Sequence, residues 1–186
     1  MINITNNNTE LFDIVDENNK PTGEIIPRHI AHATGEWHRT VHVYLYRYNP
    51  DLQLLVHLRS KSKDLCPNTW DTRFGGHLKA GETVEDCVAN ELNEEIGLKL
   101  EQANLTQGGI FIGAEYPNRE FSYQFYYHFA GDNSSLIFND GEVQDVRWLT
   151  LAEIQNEMKL YPNKWSGKSV FEKIQRDIQH YVPTSY

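Results

Sequence analysis

The segment from Gly75 to Leu98 constrains the fold of this chain more than any other, because it joins a glycine loop to one clearly delimited helix. Thr83 is a typical N-cap residue, and Asp86 follows three positions later as an acidic variant of the capping box. Gly97 comes directly after the last residue of the helical pattern, where a left-handed C′ position favours glycine. The sequence therefore predicts a helix between Thr83 and Gly97.

The predicted helix has an apolar stripe and an acidic face. Val84, Val88 and Leu92 recur every four residues and are expected to pack inward. Three glutamates lie within about 100° of one another on a different face: Glu91, Glu94 and Glu95. Carboxylates this close repel one another, and a bound hard cation such as Mg²⁺ or Mn²⁺ relieves the repulsion. For the glutamates alone, a solvated acidic surface is the alternative interpretation.

The spacing of the whole segment resembles the Nudix box, G-x5-E-x7-R-E-U-x-E-E-x-G-U, in which U is aliphatic. Gly76 and Glu82 occupy the first two fixed positions, and the acidic part reads Asn90-Glu91-Leu92-Asn93-Glu94-Glu95-Ile96-Gly97-Leu98. Every fixed position matches except that Asn90 stands where the family has arginine. In the family this arginine orients the glutamates, and asparagine retains hydrogen-bonding capacity without the charge.

This resemblance implies an α/β/α sandwich around a mixed β-sheet and metal-dependent hydrolysis of a diphosphate. It also implies that Mg²⁺ or Mn²⁺ is the cofactor, polarising the diphosphate and lowering the pKa of an attacking water. Glu91 and Glu94 are the first candidates for the base that deprotonates this water. Acids of later loops remain open for that role, namely Glu115, Glu120 and Glu142. The implied metal ligands are Glu91, Glu94, Glu95 and the backbone carbonyl of Gly75.

The rest of the chain reads as strands before and after the central helix, followed by terminal helices. Two short strands around the turn at 18–21 predict an N-terminal β-hairpin extension. The alternating segments 40–48 and 121–130, which are rich in aromatic residues, predict strands. Further strands are expected at 52–58, 109–115 and 141–149. Helices are expected at 151–160, where Thr150 is the N-cap, and at 166–181. This order of elements indicates the same α/β sandwich, with residues 1–9 flexible and residues 10–186 forming a single domain.

Composition limits the classes of partner. The net charge of −9 over 186 residues argues against a general nucleic-acid or membrane-surface binder, because both need a basic patch. Cys66 and Cys87 are too few for a disulfide framework and indicate a cytoplasmic protein with reduced thiols. We expect a small-molecule diphosphate as the partner, with a homodimer possible through exposed strand edges.

Features before the box resemble the isopentenyl-diphosphate isomerase branch of the family. They include Phe12-Asp-Ile-Val-Asp-Glu, the Pro21-Thr-Gly turn and Asn68-Thr-Trp. The resemblance implies a possible second metal site at His32, His38, His77 and Glu120, although the spacing of the first two histidines is one residue shorter than the isomerase usually has. The basic residues expected to hold phosphate are Arg28, Arg59 and Lys63.

The catalytic positions of that isomerase are not retained. It uses a cysteine and a glutamate on opposite faces of the substrate double bond. This chain has Gly75 at the place of the cysteine and Ser122 near the place of the glutamate. A glycine has no proton to transfer, so we expect a hydrolase of the isomerase-like branch acting on a nucleoside diphosphate-like or other organic diphosphate. The alternatives are the isomerase itself and a non-catalytic diphosphate-binding module, which Asn90 alone favours.

Overall fold

The N-terminal part of the fold is a hairpin followed by a short helix. The computed structural model describes residues 10–63, 65–138 and 141–183. β1 (Leu11–Val15) pairs antiparallel with β2 (Pro21–Pro27), and α1 (Arg28–Thr34) follows directly. The predicted N-terminal hairpin is therefore confirmed, whereas the segment predicted to be flexible, 1–9, lies outside the described residues.

The central sheet is mixed, as predicted. Its strands are β3 (His38–Tyr48), β4 (Leu52–Arg59), β5 (Trp70–Asp71), β6 (Leu105–Gly113), β7 (Glu120–His128) and β8 (Val143–Thr150). They run in the order β5-β4-β3-β7-β6, and β8 pairs with β4. β3 and β7 are parallel, whereas the other strand pairs are antiparallel.

Helices cover both faces of this sheet and complete the predicted α/β/α sandwich. On one face, α2 (Val84–Ile96) packs its Val88 and Leu92 against Val41 and Val43 of β3. On the other face, α3 (Leu151–Leu160) and α4 (Lys168–Tyr181) enclose Tyr44 and other alternate side chains of the same strands. Successive side chains of a strand point to opposite faces, so each strand contributes to both cores. No helix within the described ranges is long and apolar enough to span a membrane.

The ends of α2 follow the sequence signals, with one difference. The Thr83 Oγ1 atom accepts a hydrogen bond from the Asp86 backbone N–H at 3.1 Å, which confirms the N-cap. The Asp86 carboxylate accepts a hydrogen bond from the Thr83 hydroxyl at 2.6 Å. The prediction of a capping box is wrong in this detail, because a capping box requires the carboxylate to accept from the Thr83 backbone N–H. Gly97 has φ 65°, the left-handed conformation predicted for it.

Candidate metal and diphosphate site

The glycine loop, which begins with Gly75 and with Gly76, the first residue of the box, runs closely alongside β3. The Val41 N–H donates to the Gly76 carbonyl at 2.9 Å, and the Val43 N–H donates to the Phe74 carbonyl at 2.7 Å. Gly75 has φ 131°, and a Cβ atom built on it would overlap the carbonyl oxygen of Val41. Only glycine fits there without a backbone shift. A thiol at this position is therefore sterically excluded in this conformation.

Glu95 is the buried member of the acidic face. Its side chain reaches back to the glycine loop, where Oε2 accepts a hydrogen bond from the Gly75 N–H at 3.1 Å. The residue is only 3% exposed, and this burial, together with the nearby charge of Glu91, raises the pKa of its carboxyl well above the usual range. Glu95 thus ties the box helix to the loop whose carbonyl is the expected fourth ligand.

The other two glutamates flank Glu95 towards solvent. Glu91 lies against Gly76, where an added Cβ atom would be only 2.6 Å from the Glu91 Oε1 atom. Burial, followed by the charge of Glu94, raises the pKa of Glu91 to about 8. The side chain of Glu94 is 53% exposed and points towards Lys79. We call Glu91, Glu94 and Glu95 the acid cluster. Burial holds Glu91 and Glu95 uncharged, and a hard divalent cation bound by their carboxylate oxygens would favour the ionised forms.

The predicted histidine set is assembled from four separate elements. His32 comes from α1, His38 from β3, His77 from the glycine loop and Glu120 from β7, and their ligand atoms all lie within 4.8 Å of one another. His38 is directly opposite Glu120 in the parallel β3–β7 pair, and His77 is bridged to Thr40 of β3. We call these four residues the histidine cluster. The sheet register, rather than any local motif, brings them together.

The contacts inside the histidine cluster suit a metal ion. The Nε2 atoms of His32 and His38 are 3.3 Å apart, and the Glu120 Oε1 atom is 3.7 Å from Nε2 of both His38 and His77. The His77 Nε2 atom is buried, and no described residue is its hydrogen-bond partner. Phe12 of β1 stacks on the His38 and His77 rings, with centroids 5.0 Å and 4.8 Å away. Converging imidazole nitrogens with one carboxylate are typical ligands of a transition metal.

Electrostatics favours the metal-binding protonation states of His32, His77 and Glu120. Burial and the neighbouring His77 lower the pKa of His32 to about 4. Burial also lowers the pKa of His77. Burial alone would raise the pKa of Glu120, but interactions with His38 and His77 outweigh it and hold that pKa below its usual range. Metal binding needs neutral imidazole and ionised carboxylate, so His32, His77 and Glu120 already have the required protonation states at neutral pH.

The three basic residues that were expected to hold phosphate have different partners in the structure. Arg28 forms an ion pair with Glu10 at 2.9 Å, and its charge acts on His32 and His77 of the histidine cluster. The Arg59 Nη2 atom donates to the Leu65 carbonyl at 3.0 Å. Lys63 pairs with Glu142, and the charges of both act on Glu91 and Glu95. Lys63 is therefore the member of the set at the acid cluster.

Two of the residues around the acid cluster were not singled out for it from the sequence. Glu142 was one of three later acids left open as the base, and its charge acts on the acid cluster. Of the other two, Glu120 belongs to the histidine cluster and Glu115 is exposed. Lys79 was missed altogether. In the sequence, the only signal for Lys79 was its positive charge at a variable position between Gly76 and Glu82.

Comparisons with known proteins agree with this geometry. A family model described as the NUDIX domain matches residues 37–172. Nudix hydrolase 3 of Arabidopsis thaliana is 36% identical over 118 residues, covering 58% of this chain but only 15% of the length of that protein. An isopentenyl-diphosphate Delta-isomerase of Aliivibrio fischeri is 30% identical over 179 residues, covering 92% of this chain and 98% of that protein.

The fold also matches a solved structure. The crystal structure of a Deinococcus radiodurans protein superposes with a TM-score of 0.74 at 23% identity, covering 90% of this chain and 99% of that one. The predicted resemblance to both Nudix hydrolases and isopentenyl-diphosphate isomerases is thus confirmed. Because the family model covers most of the chain, including the box and the histidine cluster apart from His32, this protein belongs to the Nudix family.

Proposed function

We propose that this protein is a metal-dependent hydrolase that cleaves a diphosphate linkage in a small organic molecule. The observation that carries the proposal is the close approach of Gly75 to the Val41 carbonyl, beside an intact acid cluster. The approach leaves no room for the thiol that the isomerase needs at this position. By contrast, two of the carboxylates required for hydrolysis contact the same glycine pair, Glu95 at Gly75 and Glu91 at Gly76.

The proposed ligands of Mg²⁺ or Mn²⁺ are Glu91, Glu94, Glu95 and the Gly75 carbonyl. When bound, such an ion polarises a phosphoryl oxygen and lowers the pKa of a water molecule. Glu91 is our first choice for the residue that takes the proton of this water, because it lies against Gly76 of the loop that carries the Gly75 carbonyl. Glu94 is the second choice, and Glu142 is the third because its charge acts on the same cluster.

Lys63 is the proposed contact for the phosphate groups. Its side chain is 23% exposed and pairs with Glu142 at the edge of the acid cluster. A doubly charged phosphate competes well with a single carboxylate for an ammonium group. Binding of substrate would then release Glu142 from its ion pair. Arg28 and Arg59 stay as secondary proposals, because the first is paired with Glu10 and the second with a loop carbonyl.

We further propose that the histidine cluster holds a second metal ion. The support is geometric, since four potential ligands from distant parts of the sequence converge and the buried Nε2 atom of His77 has no hydrogen-bond partner within the described part of the chain. The ion would cross-link α1, β3, β7 and the glycine loop. That loop also contains Gly75, so the second site would stiffen a ligand of the first.

A second candidate function is isomerisation of isopentenyl diphosphate. The histidine cluster and the match to the Aliivibrio isomerase over 92% of the chain favour it. Against it, Ser122 is only 5% exposed and its hydroxyl accepts a hydrogen bond from Thr40 at 2.9 Å. A non-catalytic diphosphate-binding module is the third candidate, and Asn90 is the feature that favours it.

The test is a substrate panel with Mg²⁺ or Mn²⁺ and an EDTA control. The panel contains nucleoside triphosphates, sugar nucleotides, dinucleotides, thiamine diphosphate and isopentenyl diphosphate. We expect metal-dependent release of phosphate, diphosphate or nucleoside monophosphate from one class. Formation of the allylic isomer without such release would establish the isomerase instead. Metal-dependent ligand binding without any turnover would establish the binding module.

We propose in addition that the protein is cytoplasmic, with Cys66 and Cys87 as free thiols, and that it can form a homodimer. The support for a dimer is β6, an edge strand that has no charged side chain and exposes Ile110 and Ile112. Light scattering coupled to size-exclusion chromatography tests this point, and a monomer at micromolar concentration would contradict it. Nucleic acid and membranes are not expected partners at a net charge of −9.

A further inference from the structure

The Nudix box of this chain lacks one positive charge. Asn90 stands at the arginine position of α2, and its Nδ2 atom donates a hydrogen bond to the Glu82 Oε1 atom at 2.7 Å. The asparagine is long enough to hold Glu82 but leaves the nearby glutamates without a cation from the helix. A cation must come from another part of the chain if the glutamates are to be oriented by charge.

A tightly held turn presents Lys79 at this place. The Lys79 N–H donates to the Glu82 Oε2 atom at 3.0 Å, and the Glu82 N–H donates to the Lys79 carbonyl at 2.9 Å. β1 holds the same turn from outside, since the Ala80 N–H donates to the Leu11 carbonyl at 2.8 Å and the Gly81 N–H donates to Asp13 at 2.7 Å. The backbone of Lys79 is therefore fixed from two sides, and Glu82 links this turn to Asn90.

The ammonium group of Lys79 lies among the box acids. Its Nζ atom is 3.9 Å from the Glu94 Oε1 atom, and its charge also acts on Glu91 and Glu82. Lys63, another cation that acts on Glu91, is paired with Glu142. An ion pair between side chains that are about half exposed contributes little to stability. The charge of Lys79, 3.9 Å from the Glu94 carboxylate, can nevertheless orient that carboxylate for a ligand.

We propose that Lys79 replaces the missing box arginine as a positioning residue for Glu91 and Glu94. The positive charge reaches the carboxylates from the loop instead of from the helix, while Asn90 and Glu82 fix the loop against the helix. This inference rests on the proposed function in one respect, namely that the acid cluster binds a divalent metal. Residues that orient metal ligands typically affect metal affinity or activity by about 10- to 100-fold.

The experiment measures Mn²⁺ affinity of the substrate-free protein by electron paramagnetic resonance, with His77→Gln in every background so that the histidine cluster does not contribute. The variants are Lys79→Gln, Lys79→Arg, Asn90→Arg and the double variant Lys79→Gln/Asn90→Arg. Lys159→Gln is the matched control for loss of one positive charge, because Lys159 is an exposed residue of α3 on the opposite face of the sheet. Lys79 and Asn90 are both exposed, so the variants are expected to fold.

We expect Lys79→Gln to weaken Mn²⁺ binding about tenfold, and Asn90→Arg to restore it in the double variant to within about threefold. Lys79→Arg and Lys159→Gln should bind as the parent does. Unchanged or tighter binding in Lys79→Gln would show that the lysine only repels the metal and would overturn the inference. So would a double variant as weak as Lys79→Gln, or a parent protein that binds no Mn²⁺.

Turnover provides a second, separable measurement. With a substrate from the panel, Lys79→Gln should lower kcat about tenfold with little change in KM, because the lysine acts through the glutamates. A rise in KM at constant kcat would show that Lys79 binds substrate directly, which also contradicts the proposal. If the parent protein hydrolyses nothing, the proposed function fails, while the Mn²⁺ measurements still decide the role of Lys79.

Discussion

The acid cluster and the histidine cluster are neighbours built in opposite ways. One helix supplies all three carboxylates of the acid cluster, whereas four different elements supply the histidine cluster. The glycine loop belongs to both, because the Gly75 N–H binds Glu95 and His77 lies two residues further along. A site on one helix follows from local spacing, while a site on four elements exists only when the whole sheet is in register.

Burial also acts on the two clusters in opposite directions. It raises the pKa of Glu91 to about 8 and so opposes the charged form that a metal requires. In the histidine cluster it lowers the pKa of His32 to about 4 and so favours the neutral form that a metal requires. The acid cluster must therefore lose protons when it binds metal at neutral pH, whereas His32 of the histidine cluster is already neutral.

The largest expected effect is on the acid cluster. Glu94→Gln keeps the shape of the side chain but removes one anionic ligand, so turnover should fall by at least about 100-fold. Glu85→Gln, on an exposed face of the first turn of the same helix, is the control and should keep its activity. Circular dichroism should show an intact fold in both. Activity retained in Glu94→Gln would remove the acid cluster from the proposed mechanism.

The next largest effect is a loss of metal binding at the histidine cluster alone. His77→Gln removes one of four converging ligands, so tight binding of Zn²⁺ or Mn²⁺ at the histidine cluster should weaken by at least about 100-fold. Binding at the acid cluster should remain, so the metal content should fall by one equivalent per chain. His180→Gln, at the exposed end of α4, is the control. An unchanged metal content measured by atomic emission would contradict a metal in the histidine cluster.

The pH dependence of the two clusters should differ. A group with a raised pKa binds metal only after losing its proton, so Mn²⁺ affinity of the acid cluster should rise from about pH 6 to about pH 9, with proton release. The histidine cluster should change little over that range, since the pKa of His32 is about 4 and that of Glu120 lies below its usual range. Calorimetry of His77→Gln and Glu94→Gln in several buffers measures each cluster separately. Equal pH profiles would contradict the electrostatic difference between the clusters.

The smallest effect tests what burial alone does to a histidine. His57 of β4 is 2% exposed, and neither ring nitrogen has a hydrogen-bond partner among the described residues. Because the cost of unpaired polar atoms is removed, His57→Leu should raise the free energy of unfolding by about 1 kcal/mol at pH 7. Burial lowers the pKa of His57 to about 4, so the unfolded chain binds more protons below pH 6.5 and the folded state loses stability as pH falls.

The gain from His57→Leu should therefore be larger at pH 5 than at pH 7. Thermal unfolding at both pH values measures it, and the exposed His180→Leu is the control. A destabilised His57→Leu variant at both pH values would show that the ring is satisfied by a buried water.

The sequence by itself determined the parts of this protein that depend on short-range pattern. The bounds of the box helix followed from Thr83 and Gly97, because the unpaired backbone groups at helix ends need local partners. Thr150 likewise gave the start of α3, where it forms a full capping box with Glu153. β-branched and aromatic residues at 40–48 and 121–130 predicted the central strands β3 and β7, which the structure buries on both faces.

Elements with weak local signals were missed or misplaced. α1 was not predicted, since it has seven residues and Pro27 gives it no side-chain cap. β6 begins at Leu105 instead of residue 109, because the register shifts between Gln107 and Ile110 and interrupts the alternation. β5, with two residues, is defined only by its pairing with β4.

Only the tertiary structure decided how the site is arranged. Family resemblance named His32, His38, His77 and Glu120, but the parallel pairing of β3 with β7 places His38 opposite Glu120. The close packing of the glycine loop on β3, and the turn that presents Lys79, depend equally on contacts between segments distant in sequence. Such contacts are set by backbone pairing and core packing over the whole sheet, and no local pattern of residues encodes their distances.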